Sequence, residues 1–358
     1  MSATNTNTGL YVDEHTTFIV RRDLEQPVAS ECELLVETHF SGANPADTKH
    51  VNLLGIYPAV LGYDFCGKVL KASTNSRFHP GDLVAGFTPT GIGRPARYRT
   101  YQQYLACPED MVFLVPANLP PHEAACFSVV TMTAADALYN LFRFPHPGDD
   151  IQAGHHQGKS AGPLLIWGVS SSVGLCAVQL AKASGIYPIF VTASPSRHAL
   201  LRGLGATQCF DYKSPNVVSQ VNSALRDGQW DSLDYGFDTV GSHGSAKLMA
   251  ECVSNGATLV SVVLQDDHRF KMPFATPNQN TTIHPKGAPH PITIPARTAD
   301  YQHAWKALNW AVVSYGRGFR FPAVEVLEGT AEKALDELKV LGDNGRGFGK
   351  LVLAHPLQ

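Results

Sequence analysis

The run Pro163 to Lys182 (PLLIWGVSSSVGLCAVQLAK) holds the residues whose spacing most directly implies chemistry. An apolar stretch, Leu164 to Trp167, leads into a turn of small residues and then into the apolar spacing of a helix. Small side chains at such a turn let backbone N–H groups and a helix N-terminus close on an anion, and a pyrophosphate is what a strand-turn-helix cradle of this kind holds. Gly168, Ser170, Ser171, Ser172, Val173 and Gly174 are the candidate cofactor contacts. The glycine fingerprint is incomplete, because Ser171 stands where a middle glycine is usual.

Stepping along the chain gives a second strand (Tyr187 to Thr192), a polar turn (Ser194 to Arg197), a helix ending at Gly203 to Gly205 and a third strand near Thr207 to Tyr212. The order is βαβαβ. NAD binding uses an acid at the end of the second strand to accept from the ribose hydroxyls, and none is present here. Ser194, Ser196 and Arg197 instead offer hydroxyls and a guanidinium fork suited to a 2′-phosphate, so NADPH is the expected cofactor, against the plainer reading of Arg197 as a solvated first-turn residue. Tyr212 either stacks on the adenine side or caps its strand.

At 358 residues the chain exceeds the roughly 250 to 300 that one core sustains, so two domains are expected. A hydrophobic fraction of 44% and a net charge of −3 make no electrostatic case for nucleic acid or an anionic membrane. The N-terminus lacks a basic region followed by an apolar run, and no stretch is long and apolar enough to span a bilayer; a cytoplasmic protein is expected. The seven cysteines are scattered and odd in number, which fits reduced thiols that act as small core hydrophobes.

Residues 8 to 125 read as a β domain of short strands, among them Glu33 to Thr38, Leu83 to Phe87, Arg99 to Ala106 and Met111 to Val115. Ala124 to Leu141 has helical spacing and is expected to bridge the domains. Pro145 to Gly162 is expected to be an exposed insertion, with His155 and His156 in solvent, and the Pro-rich Met272 to Arg297 a long irregular loop. Ala304 to Ser314 and Ala331 to Leu341 read as helices, and Gly349 to Ala354 as a closing strand.

The order of these pieces resembles the medium-chain dehydrogenase/reductase superfamily. The anchors are Asn44-Pro45-Ala46-Asp47-Thr48-Lys49-His50, Leu61-Gly62-Tyr63-Asp64-Phe65-Cys66-Gly67, His79-Pro80-Gly81-Asp82-Leu83-Val84, the cradle, Phe237-Asp238-Thr239-Val240-Gly241 and Gly349-Lys350-Leu351-Val352. The resemblance implies an α/β protein in which a GroES-like β domain is interrupted by a Rossmann doubly wound parallel sheet domain. The implied boundaries are a catalytic domain over 1–126, the NADPH-binding domain over 127–298 and a return to the catalytic domain over 299–358. Zinc alcohol dehydrogenases carry a Cys near Pro45 or Ala46 and a Gly-His-Glu where this chain has Gly62-Tyr63-Asp64, so no metal site is expected. Within the zinc-free branch, NPADTKH and LGYDFCG are most similar to the fungal trans-acting enoyl reductases.

That resemblance implies hydride transfer from NADPH to the β-carbon of an α,β-unsaturated thioester on a polyketide synthase carrier domain. The enolate oxygen then needs hydrogen-bond donors and the α-carbon a proton. Lys49, Tyr63 and Thr131 are the implied catalytic residues, with Lys49 either donating to the enolate or contacting cofactor phosphate; Lys350 closes the cofactor route. Asp64 is read as orienting backbone or pairing with a cation rather than as a base. Arg94, Arg97 and Arg99 are read either as a rim for a phosphopantetheine arm or as an exposed basic loop. A zinc-free quinone oxidoreductase and a non-redox cofactor-binding partner protein are the alternative functions, and the chain is expected to be a monomer or homodimer.

Overall fold

Four-residue runs without a polar break, such as LLIW and IFVT, are too short for buried helices and form strands covered on both faces. In the computed structural model, which describes residues 7–149, 162–275 and 278–358, both runs are fully buried in a parallel sheet. The chain divides into two compact units, the first made of Met1–Val129, Pro277–Thr298 and Phe321–Gln358, the second of Val130–Thr276 and Ala299–Arg320. His155 and His156 lie outside the described residues.

The second unit is a six-stranded parallel sheet in the spatial order Gln208–Phe210, Ile189–Thr192, Leu164–Trp167, Tyr235–Asp238, Thr258–Ser261, Phe270–Lys271. This is the doubly wound order 3-2-1-4-5-6, and chain direction across the sheet reverses between Leu164–Trp167 and Tyr235–Asp238, where Trp167 lies opposite Asp238. The helix Ser172–Ala183 follows Leu164–Trp167 directly and buries all of Gly174 to Ala181. Val217, Val221, Ala224 and Leu225 recur at helical spacing on Val217–Asp227 and fill the core against Phe190 and Phe210.

In the first unit a seven-stranded sheet runs Val324–Leu327, Lys350–Ala354, Glu33–Ala43, Asp64–Lys71, Leu83–Phe87, Val112–Leu114, with Tyr104–Pro108 pairing the first half of Glu33–Ala43. A three-stranded sheet of Phe18–Leu24, Asn7–Val12 and Ala59–Val60 completes it. The C-terminal helix Ala331–Asn344 packs its apolar stripe of Ala334, Leu335, Leu338 and Leu341 on Leu10, Val51 and Leu351. Among the described residues no helix is long and apolar enough to cross a membrane.

Three expectations change. Residues 278–298 belong to the first unit rather than to the dinucleotide domain, because Thr281–Ile283 and Ile292–Ile294 form a hairpin whose edge is bonded there: His284 N–H donates to Leu54 O, Lys286 N–H to Leu53 O, and Ile92 N–H to Thr282 O. Residues 299–320 belong instead to the second unit, where Asn140 Nδ2 donates to Asp300 O and the Gln179 amide pairs with the backbone of Arg320. The single helix over Ala124 to Leu141 breaks into Pro121–Ala124, Ser128–Ala135 and a π-helical turn at Asp136–Leu141. Phe142 N–H there reaches five residues back to Ala137 O, while Asp136 accepts from Asn140 Nδ2 and Phe274 N–H.

Phe127 is fully buried in the first unit, edge-on to Phe321 at 5.4 Å and to Phe113 at 6.4 Å. Phe127→Ala is expected to destabilise that unit by about 3–5 kcal/mol, read as a lower thermal midpoint; an unchanged midpoint would mean that this core collapses around the cavity.

Candidate active site

The cradle is built by one hydroxyl pair. Ser171 is the N-cap of Ser172–Ala183: its Oγ accepts from Gly174 N–H at 3.0 Å and donates to Thr239 Oγ1 at 2.8 Å. Thr239 in turn donates to Trp167 O and Gly168 O. The serine in place of a middle glycine therefore ties the helix start to the loop after the neighbouring strand, a role glycine cannot fill. Gly168 has φ +80°, and a Cβ on it would lie 2.1 Å from Val240 Cγ2. Gly174 would bring a Cβ to 2.7 Å from Val169 Cα. With Gly174 N–H taken by the cap and Leu175 N–H by Ser171 O, the first-turn N–H groups of Ser172 and Val173 are the ones left to face an anion. Asp238 accepts from the N–H groups of Val240 and Gly241 and from the hydroxyls of Ser245 and Ser261, fixing the adjacent loop.

Thr192 pairs with Phe210, so the two strand ends sit side by side and deliver Ser194 to Arg197 and Tyr212 to one edge of the sheet. Ser194 is half-buried, Ser196 exposed and Arg197 half-buried; Tyr212 is exposed, with Lys213 Nζ 5.7 Å from its ring centroid. Lys213 was not singled out from the sequence, although its place directly after Tyr212 was the available signal. It adds a second cation to an edge where the second strand ends without an acid.

The first unit holds Lys49 and Tyr63, the second Thr131. Lys49 is exposed on the helix Ala46–Leu54. Tyr63, 5% exposed, shares a hydrogen bond of 3.0 Å between its Oη and His50 Nδ1, and the Arg99 guanidinium carbon lies 4.9 Å from its ring centroid. Burial, aided by the charge of Arg99, pushes the His50 imidazole down to about 4, which keeps it neutral. Thr131 is fully buried in the second unit, its hydroxyl sharing a 3.6 Å hydrogen bond with Cys176 Sγ in which either group can donate.

Lys350 requires a correction. It is 4% exposed in the first unit, where Nζ donates to Asn44 Oδ1 at 2.5 Å and Ala43 O at 3.0 Å and lies 3.9 Å from Asp64 Oδ2. Those partners turn the ammonium into the interior of the first unit, where burial and the neighbouring carboxylate hold it. Asp64, fully buried, also accepts from Asn44 Nδ2 and Val129 N–H; burial pushes its carboxyl up, and Lys350 with these donors pulls it back. Asp47 is pushed up to about 7 by burial, against donation from Tyr101 and from Asn44 N–H. The arginines of residues 94–99 are not a freely solvated basic loop. Arg94 bonds to Gln279 and Asn280, Arg97 pairs with Glu33 at 3.3 Å, and Arg99 is 3% exposed.

A tetrahedral zinc site does not fit the first unit at the positions considered. Pro45 has no donor atom, Tyr63 Oη is engaged by His50, and the Asp64 oxygens are held by N–H donors and Lys350. Among the described residues no group of three or more His, Cys, Asp or Glu side chains is placed to hold a metal ion.

Residues 30–117 match the alcohol dehydrogenase GroES-like domain and residues 172–287 the zinc-binding dehydrogenase domain. A trans-enoyl reductase of Aspergillus japonicus, himH, is 33% identical over 63% of this chain, and the match spans 65% of that relative's length. The trans-enoyl reductase TOXD of Cochliobolus carbonum is 30% identical over 64% of this chain and 74% of its own length. In fold, an alcohol dehydrogenase superfamily protein from Novosphingobium aromaticivorans superposes with a TM-score of 0.71 at 22% identity, covering 98% of this chain and all of its own.

Lys350→Met would strand Asp64 without its cation. A loss of about 3–5 kcal/mol is expected in urea unfolding, with the affinity for NADPH retained; the reverse pattern, full stability and weakened NADPH binding, would restore Lys350 to the cofactor site.

Proposed function

Because the chain belongs to the fungal trans-enoyl reductases of the medium-chain dehydrogenase/reductase superfamily, we propose that it is an NADPH-dependent enoyl reductase acting on an α,β-unsaturated thioester held by a polyketide synthase carrier domain. The observation that carries the redox part is the capped cradle at the switch point of the sheet, with Gly168 and Gly174 both at positions a Cβ would block. The choice of NADPH is supported by Ser194, Ser196, Arg197, Tyr212 and Lys213 gathered at an edge whose strand ends in no acid. The enoyl part of the reading is supported by the trans-enoyl reductases to which the chain is similar.

The nicotinamide cofactor, when bound, supplies the hydride. Ser172 and Val173 offer N–H groups to its pyrophosphate. As charge grows on the thioester oxygen, Lys49 and the Tyr63 hydroxyl are the donors that meet it. A neutral His50 bears on which of them acts: with the proton on Nδ1 it donates to Tyr63 Oη and frees the phenolic O–H for the substrate, and with the proton on Nε2 it accepts that O–H. Protonation of the α-carbon completes the reduction. With hydrogen-bond donors in place of a Lewis acid, the reaction needs no zinc.

Cofactor consumption measured with pantetheine-linked thioesters, free thioesters and a soluble quinone tests this reading. The expected result is faster turnover with NADPH than NADH and a thioester product two mass units heavier. Lys49→Ala should lower kcat by about a hundredfold with little change in the KM for NADPH. Turnover of quinone alone would replace the thioester by a free small-molecule acceptor, and an unchanged kcat would remove Lys49 from the mechanism.

A further inference from the structure

Arg99 is a cation that cannot shed its proton and is 3% exposed, yet among the described residues its Nε and Nη2 have no hydrogen-bond partner. A buried donor left unmet costs about 1–3 kcal/mol, more on a charged group, so such donors need an acceptor. Asp47, equally buried, shows the complementary deficit. Its Oδ2 takes the Asn44 N–H and the Tyr101 hydroxyl, while its Oδ1 has no partner among the described residues. Both side chains line one cavity of about 10 Å³, together with His50, Tyr63 and the apolar Val51, Ile56, Val60 and Leu61. That is the room of a single water molecule, and a water there can accept from the Arg99 fork and donate to Asp47 Oδ1.

We propose that one ordered water joins Asp47 Oδ1 to the Arg99 guanidinium, and that Arg99, so held, is a positioning residue that fixes the Tyr63 ring with its hydroxyl on His50. The guanidinium lies over the ring at 4.9 Å, a contact strengthened by the absence of solvent. The Tyr63 backbone is held as well, Thr88 N–H donating to Tyr63 O. The ring plane is thus set by Arg99 and the hydroxyl by His50, so a shift of the arginine is transmitted to the donor atom. The chain of contacts is Asp47, water, Arg99, Tyr63, His50, all within the first unit. The positioning role rests on the reading of Tyr63 as a donor to the reacting oxygen; the bridging water does not.

A high-resolution crystal structure of the wild-type protein is expected to show the water within hydrogen-bond distance of Asp47 Oδ1 and Arg99; its absence overturns the proposal without any assay. In NADPH-dependent turnover, Arg99→Met is expected to lower kcat by about tenfold to a hundredfold with the KM for NADPH unchanged, as misplacement of a catalytic group does. Arg99→Lys, which keeps the charge, should recover part of that loss and serves if Arg99→Met does not fold. Tyr63→Phe combined with either Arg99 variant should fall no further than Tyr63→Phe alone, since both changes act on one group. Additive losses, or a loss in Arg99→Met where Tyr63→Phe has none, would show that Arg99 does not act through Tyr63. Failure of the wild-type enzyme to reduce any thioester would count against the function proposed above and leave the water to decide the link between Asp47 and Arg99.

Discussion

The first unit is organised around a buried cation that must be satisfied from within. Lys350 Nζ reaches Ala43 O and Asn44 Oδ1 and stands beside Asp64, so the closing strand, the end of Glu33–Ala43 and the start of Asp64–Lys71 are locked at one point. The same Asp64 takes the N–H of Val129, the last residue of the unit's first segment. Removing water from an ammonium and a carboxylate is costly, and only dense hydrogen bonding offsets it. Each group here has at least two partners. Tyr63 immediately precedes Asp64, and Lys49 lies in the helix that follows Asn44, so both proposed donors inherit their placement from that network.

A hydroxyl plays the corresponding part in the second unit. Thr239 bridges the backbone after Leu164–Trp167 and the side chain that caps Ser172–Ala183, joining the two strands between which the sheet reverses its order. The anion-binding end of the helix is therefore fixed from the neighbouring strand and not only by its own turn. Close approach of Gly168 to Val240 and of Gly174 to Val169 leaves no room for side chains, which keeps backbone N–H groups at the surface of the cradle.

What the sequence disclosed and what it hid follow from the range of the interactions. The strand, turn and helix of the cradle, the βαβαβ order and the closing strand were legible because local apolar runs, turn residues and periodicity determine them within a few positions, whereas the doubly wound arrangement was implied by the family resemblance. The hairpin Thr281–Ile283 with Ile292–Ile294 was hidden, since its strands are only three residues long and flanked by proline, and the residues after its first strand are anchored to the C-terminal end of the distant helix Ala46–Leu54. The π-helical turn was hidden because apolar spacing does not distinguish a bond to the fifth residue back from one to the fourth. The burial of Lys350 and Arg99 was hidden for one reason: a charged side chain next to a family motif or in a basic run suggests solvent or ligand, and only the fold shows that Lys350 is bonded about 300 residues away to Ala43 and Asn44 and that Arg99 is enclosed beside Tyr63.

The two buried carboxylates near the proposed donors are satisfied unequally, and the difference separates structure from function. Asp64 has each oxygen met by a donor, Asn44 Nδ2 on one and Val129 N–H on the other, with the Lys350 ammonium 3.9 Å away. Asp47 spends one oxygen and keeps the other, and burial holds it near 7, where its charge changes with modest changes of surroundings. Arg99 faces the same cavity with two unmatched donors. If rigidity alone were required, an apolar residue at position 99 would pack the cavity without an unsatisfied cation. A guanidinium instead supplies what an apolar side chain does not: a positive face against the Tyr63 ring and a positive charge that adds to burial in pushing His50 down, so that the imidazole bonded to the proposed donor is neutral.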